Sequence, residues 1–184
     1  MSAEPRVTPG VYRHFKGDRY EVIDTARHSE TEELLVVYRA VSGSGGLWVR
    51  PAAMFTELVE VDGQPVARFQ LIHRVFSYGT LRLPQVQRTL YGREVPTVAD
   101  QLPGHRLDWL LITDPEVVRT SGSDRHPILH RGESHDVVDG AYLELTEREL
   151  AATDEYEVDD YERRAVVLAS GLDAWAYLAP DSDA

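Results

Sequence analysis

Hydrophobic positions in the first part of the chain fall in short runs rich in β-branched and aromatic residues. Tyr20-Glu21-Val22-Ile23 and Leu34-Leu35-Val36-Val37-Tyr38 read as strands. Leu47-Trp48-Val49-Arg50 follows the turn Ser42-Gly43-Ser44-Gly45-Gly46 and reads as a return strand. Pro51 to Phe55 suits one helical turn with proline at its start, Asp62 to Pro65 a turn, and Val66 to Gln70 a last strand. Strands without a long helix predict a small, bent, all-β module over residues 1–70. After a short connection the pattern changes. Strands are predicted at Arg74–Ser77, Arg106–Ile112, Val137–Leu145, Ala165–Leu168 and Ala174–Leu178, with helices at Gln85–Tyr91 and Glu147–Asp154. Thr146 and Glu149 form a capping box, and Ser170 to Asp173 joins the last two strands. Thr113 to His135 shows no period and reads as loop. The second domain is placed at residues 73–180, giving an α+β chain of two units.

Charge separates the two parts. Residues 1–70 carry 8 Lys/Arg against 10 Asp/Glu, and the remainder 11 against 21, for a formal net charge of −12 over 184 residues. An acidic surface repels phosphate backbones, so nucleic acid is not expected as a partner of the second domain. The chain has no cysteine, which removes disulfides, thiolate nucleophiles and cysteine zinc sites. Met1 to Arg6 shows no charged segment leading into an apolar run, and no stretch approaches the ~18–20 apolar residues of a membrane span. A cytoplasmic protein without membrane partners is expected.

Two segments carry candidate chemistry. Val75-Phe76-Ser77 leads into Tyr78-Gly79-Thr80-Leu81, and Arg82-Leu83-Pro84 opens a helix. Backbone N–H groups at the start of a helical stretch favour an anion, and Gly79 allows close approach. An ordinary strand-turn-helix corner gives the same pattern. The second segment runs from Val138-Asp139-Gly140 through the capped helix to Asp154-Glu155-Tyr156-Glu157 and Tyr161-Glu162-Arg163. Glu157 lies between a helix and a strand among Asp154, Glu155, Asp159, Asp160 and Glu162. Close like charges would raise its pKa, whereas a solvated acidic loop would leave it unperturbed.

Taken together, these two ordered segments resemble the gamma-glutamylcyclotransferase-like superfamily, nearest its gamma-glutamylamine cyclotransferase branch, over about Arg74 to Ala179. The carrying motifs are an aromatic strand running into Tyr-Gly-Thr-Leu, a Gly-containing strand, Asp154-x-x-Glu157 with Thr153 where leucine is usual, and Tyr161-x-Arg163. The resemblance implies a mixed β-barrel with short flanking helices. It also implies a cofactor-free, metal-free reaction in which a γ-glutamyl amine or peptide closes on its own γ-carbonyl, releasing 5-oxoproline. Glu157 is implied as the acid/base, and Tyr78, Gly79, Thr80 and Leu81 as the turn that holds the glutamyl end. Arg82 and Tyr161 are further pocket candidates. His126 falls where relatives carry tyrosine before Pro-x-Leu. A scaffold that binds or regulates without catalysis is the alternative.

The first module resembles a small bacterial domain of unknown function through Gly10-Val11-Tyr12-Arg13-His14-Phe15-Lys16-Gly17, Leu47-Trp48-Val49-Arg50-Pro51 and Arg68-Phe69. That resemblance implies no activity and leaves its partner unknown. Tyr12, His14, Phe15, Trp48 and Arg50 suit a planar or anionic ligand. The competing reading makes Phe15, Trp48 and Phe55 the core of a tiny domain. His126, His130 and His135, with Asp124 and Asp136 close by, match no familiar metal spacing, and Pro127 and Gly132 argue for a loop there.

Overall fold

The computed structural model describes residues 6–43, 45–111, 125–157 and 161–180; of residues 110, 111, 125 and 126 it describes the backbone alone. The chain divides into two compact units, Met1–Ile72 and His73–Ala184.

The first unit is built on antiparallel strands β1 (Gly10–His14), β2 (Arg19–Arg27), β3 (Leu34–Ala40) and β4 (Leu47–Pro51), joined by residues 69–72 of β7 (Phe69–Ser77). Their order is β7-β1-β2-β3-β4. A short helix α1 (Ala52–Phe55) and the hairpin of β5 (Leu58–Val61) and β6 (Gln64–Ala67) complete it. Alternation puts Tyr12, Val22, Val36 and Tyr38 on one face, where they pack with Ala52, Phe55 and Phe69. The Phe55 and Phe69 rings stack 4.1 Å apart. Of the three aromatic residues predicted as core, only Phe55 is buried. Phe15 is 36% and Trp48 61% exposed.

In the second unit, β7 continues through Ser77 to a 3-10 turn at Thr80–Arg82 and helix α2 (Pro84–Tyr91). Strands β8 (Thr97–Pro103), β9 (His105–Leu111), β10 (Arg125–Arg131) and β11 (Val137–Thr146) follow. Helix α3 (Glu147–Tyr156) then leads to β12 (Glu162–Val167) and β13 (Asp173–Leu178). The sheet order is β12-β13-β7-β11-β8, with β13 parallel to β7 and β9–β10 a separate hairpin. The unit is strand-rich with short helices, as its pattern predicts, but among the described residues its strands do not close into a barrel. Among the described residues no ladder joins β8 to β12. Instead the β12–β13 corner touches β8 through Ala169 N–H donating to the Gln101 carbonyl (2.9 Å) and Ser170 Oγ donating to Asp100 (2.5 Å).

The predicted loop over Thr113–His135 is corrected in part: Arg125–Arg131 is a strand, and residues 113–124 lie outside the described residues. Pro127 reads as a breaker, yet β10 has a single ladder partner, and proline is tolerated where only one edge must donate. Strands β1, β5 and β8 are also additions to the sequence reading.

One glycine sets the end of β7. A Cβ on Gly140 in β11 would lie 2.5 Å from the Phe76 ring and 2.6 Å from the Ser77 carbonyl oxygen. Backbone cannot yield as a flexible side-chain end does, so β11 lets the residues before Tyr78 pass only because position 140 lacks a side chain. Gly140→Ala is expected to cost about 1–3 kcal/mol, the usual overpacking range, read as a lowered midpoint in chemical denaturation. Gly132→Ala, which meets only the movable Asp136 side chain, should cost less.

Candidate active site

Each end of α3 is fixed by residues already visible in the sequence. Thr146 Oγ1 accepts from Glu149 N–H (3.3 Å), and the Glu149 carboxylate accepts from Thr146 N–H (2.8 Å), completing the capping box. Arg93 clamps the same carboxylate with two bonds, at 2.6 and 2.9 Å. Burial works against the charge on Glu149, but Arg93 and the Thr146 N–H outweigh it and hold the carboxyl below its ordinary range.

At the other end, Thr153 is fully buried. Its hydroxyl donates to the Glu149 carbonyl (2.8 Å) and lies 2.8 Å from the Tyr91 hydroxyl. A threonine has one hydroxyl proton, so Tyr91 is the donor in that second bond. The Thr153 carbonyl accepts the Glu157 N–H (2.9 Å). The residue that departs from the usual leucine therefore joins α2 to α3 and places the backbone of Glu157.

The turn and the end of α3 come together. Thr80 Oγ1 lies 3.0 Å from the hydroxyl of Tyr156, the residue before Glu157. The Glu157 charge also acts on Tyr78, Tyr91 and Tyr177, opposing ionisation of each phenol after burial, the dominant cause. Tyr78 packs against the core and donates to the Tyr177 carbonyl (2.9 Å). Leu81 is buried and anchors the turn. Gly79 has open space above it, with Pro127 Cγ 4.0 Å from the position of a Cβ; its N–H donates to Ser77 Oγ (3.3 Å). Tyr161 donates to the Pro127 carbonyl (3.3 Å), which brings β10 beside the turn. Arg82 bends back onto the carbonyls of Gly79 (3.4 Å) and Tyr78 (3.3 Å) and is engaged there. His126 is on β10, and its side chain lies outside the described residues. A separate hollow of about 340 Å³, lined in part by Pro103, His105, Arg131 and Arg164, includes none of the predicted site residues.

Glu157 is partly buried, and its pKa is pushed up to about 7. The cause is burial, not the acidic neighbours that its sequence suggests. Asp154 is taken by Arg163 (2.6 Å) and the Tyr177 hydroxyl (2.7 Å), and Glu162 by Arg164 (2.7 Å). Asp159 and Asp160 lie outside the described residues. Sequence reasoning missed Tyr91 and Tyr177, whose approach to Glu157 depends on long-range packing with no local signature, and the bond of Tyr156 to Thr80.

A strand-rich α+β unit in which a Tyr-Gly-Thr-Leu turn meets the end of a capped helix defines the gamma-glutamylcyclotransferase-like fold. The chain belongs to the gamma-glutamyl cyclotransferase, AIG2-like family, whose match spans residues 75–184. Residues 10–71 match a family described as a protein of unknown function, DUF1653. A DUF1653 protein from Bordetella bronchiseptica is 38% identical over 36% of this chain and 88% of its own, with a TM-score of 0.34. A solution structure from Arabidopsis thaliana is 24% identical over 61% of this chain and 65% of that one, with a TM-score of 0.50, a likeness of fold. A solved gamma-glutamyl cyclotransferase is 16% identical over 59% and 67% of the two chains, with a TM-score of 0.47. No curated protein sequence matches the chain. Among the described residues no helix is long and apolar enough to cross a membrane.

Burial of Glu157 has a consequence for stability. Between its ordinary value of 4.5 and about 7, the folded state keeps a proton that the unfolded chain has released. Stability therefore falls as pH rises through that window and stays lower above it. Glu157→Gln is expected to melt at a higher temperature than the parent at pH 8. The difference should vanish near pH 4.5 in paired thermal denaturation runs.

Proposed function

We propose that the second unit converts a γ-glutamyl amine or peptide to 5-oxoproline, with Glu157 as acid and base. The observation that carries this reading is the partly buried Glu157 carboxyl, with a pKa of about 7, next to Tyr156, whose hydroxyl meets Thr80 of the turn.

A carboxyl half-ionised near neutrality accepts and returns a proton with little penalty either way. As carboxylate, Glu157 takes a proton from the substrate α-ammonium. The freed amine attacks the γ-carbonyl carbon, and a five-membered ring closes. The γ-amide C–N bond breaks as Glu157 returns the proton to the departing nitrogen, and the ring nitrogen gives up its second proton to the released amine, which leaves as an ammonium ion. One C–N bond forms and one breaks, with no change of oxidation state. Both reacting groups belong to one molecule, so holding the glutamyl chain folded supplies much of the acceleration.

The hydrogen-bond accounting supports the turn as the glutamyl cradle. Tyr78, Tyr91, Tyr161 and Tyr177 each donate elsewhere. Thr80 and Tyr156 share one bond but own two hydroxyl protons, so one O–H remains for a ligand. Arg82 and Arg163 are turned to protein acceptors, which leaves the leading N–H groups of the Thr80–Arg82 turn to face a carboxylate.

Mass-spectrometric detection of 5-oxoproline from a library of γ-glutamyl amines and peptides tests the proposal. Release by the parent should rise with pH through about 7, as the carboxylate forms. Glu157→Gln should lower kcat at least a hundredfold, the lower end of the acid–base contribution, with folding retained by circular dichroism. Unchanged turnover in that variant would remove Glu157 from the reaction. Ligand-dependent thermal stabilisation without 5-oxoproline would instead favour a binding protein on the same scaffold.

A further inference from the structure

The first unit holds a surface that the cyclisation reaction does not use. Register pairs Trp48 with Tyr38, so both side chains rise from the same face of β3–β4, and Arg50 follows on that face two residues on. The Arg50 guanidinium lies 5.7 Å from the centre of the Phe69 ring and donates to the Tyr38 hydroxyl at 3.4 Å. Phe69 touches His14, at 4.7 Å between ring centres, and His14 touches Phe15 at 4.4 Å. The Lys16 ammonium lies 5.7 Å from the Phe15 ring centre, and Lys16 is the only lysine in the chain. The exposed Trp48 ring thus shares a face with the Arg50 guanidinium, and a run of contacts from Arg50 through Phe69, His14 and the exposed Phe15 ring leads to the Lys16 ammonium.

The electrostatics agree with that geometry. Burial lowers the His14 pKa first, and then Arg68, Lys16 and Arg50 lower it further; Asp18 opposes them weakly. Three cations therefore converge on one imidazole. Arg68 is ion-paired with Glu57. Among the described residues, no carboxylate is bonded to Arg50 or Lys16. Such an arrangement is unfavourable by itself and is relieved by an anion. Exposed rings beside it give a flat partner a stacking surface. An anionic phosphate joined to a planar ring satisfies both halves; an aliphatic carboxylate satisfies one. The acidity of the whole chain does not cancel the patch, because screening at physiological salt confines each charge to about 8 Å.

We propose that this face of the first unit binds a nucleotide, with its base stacked on Trp48 or Phe15 and its phosphate held by Arg50 and Lys16. The nucleotide is either free or part of a single strand, since both present the same base and phosphate. The site is separate from Glu157 and stands whether or not the second unit cyclises anything.

The test uses the full chain and two probes. Binding of AMP is read by isothermal titration calorimetry, and of a labelled twelve-nucleotide oligo-A RNA by anisotropy. At least tenfold weaker binding is expected for Trp48→Ala and for Arg50→Gln. Val49→Ala should bind as the parent does, because Val49 is equally exposed (61%) but points to the opposite face. Glu157→Gln should also bind normally. With about two phosphate contacts, strand affinity should fall only shallowly with salt, a log–log slope of about −1.4. RNA binding without AMP binding identifies a strand as the source; AMP binding no weaker than RNA binding identifies a free nucleotide. Three results overturn the proposal: neither probe bound, binding unchanged in both Trp48→Ala and Arg50→Gln, or inorganic phosphate competing as well as AMP. Trp48 is exposed, so loss of binding in its variant is not loss of fold, and circular dichroism of Arg50→Gln checks the other.

Discussion

A single buried hydroxyl governs the geometry of the second unit. Thr153 donates to Glu149, accepts from Tyr91 and, through its carbonyl, holds the N–H of Glu157. Leaving a buried hydroxyl without partners costs on the order of 1–3 kcal/mol, so these groups move together or not at all. The tie runs from the last residue of α2 to the last turn of α3. Because α2 grows out of the Tyr78–Leu81 turn, fixing its far end also fixes the direction in which the turn opens. A leucine at position 153 would be bulkier and would leave the Tyr91 hydroxyl to find another partner.

The raised pKa of Glu157 follows from where the surrounding hydroxyls point. Of the five tyrosines in this region, Tyr156 shares a bond with Thr80 and the other four spend their protons elsewhere: on a backbone carbonyl (Tyr78, Tyr161), on Thr153 (Tyr91) or on Asp154 (Tyr177). Among the described residues no side chain donates to the Glu157 carboxylate. The rings exclude water without offering a bond in exchange, which disfavours the charged form. Asp154, only three residues earlier, has Arg163 and Tyr177 as partners. Neighbouring carboxyls in one acidic stretch thus take different roles through their surroundings.

Local features of this site were legible in the sequence, and tertiary ones were not. The capping box at Thr146 and Glu149 and the turn after β7 are set within a few residues, and the structure forms both. Gly140 and Thr153 were visible as motif positions, but their reasons, clearance for Phe76 and a tie to Tyr91, depend on segments far away in sequence. The acidic run around Glu157 pointed toward a raised pKa for the wrong reason: ion pairs formed on folding remove charges that the sequence leaves bare. Strand β10 was hidden behind Pro127, and the exposure of Phe15 and Trp48 behind the expectation that rings in so small a module form its core. Periodicity reports which face a residue shares. It does not report which part of that face a helix such as α1 will cover.

The two units meet the problem of binding an anion in opposite ways. The second has a large negative excess, and its arginines near the turn are already committed: Arg82 to carbonyls, Arg93 to Glu149, Arg163 to Asp154. A carboxylate entering there has to be held by oriented N–H groups and a hydroxyl, which favours a small ligand that also carries a positive charge. A γ-glutamyl α-amino acid end meets that requirement, since its ammonium and carboxylate cancel within one group. The first unit is nearly balanced in charge but holds Arg50 and Lys16, which no carboxylate among the described residues pairs, against aromatic rings. That surface favours a ligand with a net negative charge and a flat face. On the proposed assignments, the division of charge along the chain would match different ligands to its two parts, a zwitterion to the second and an aromatic anion to the first.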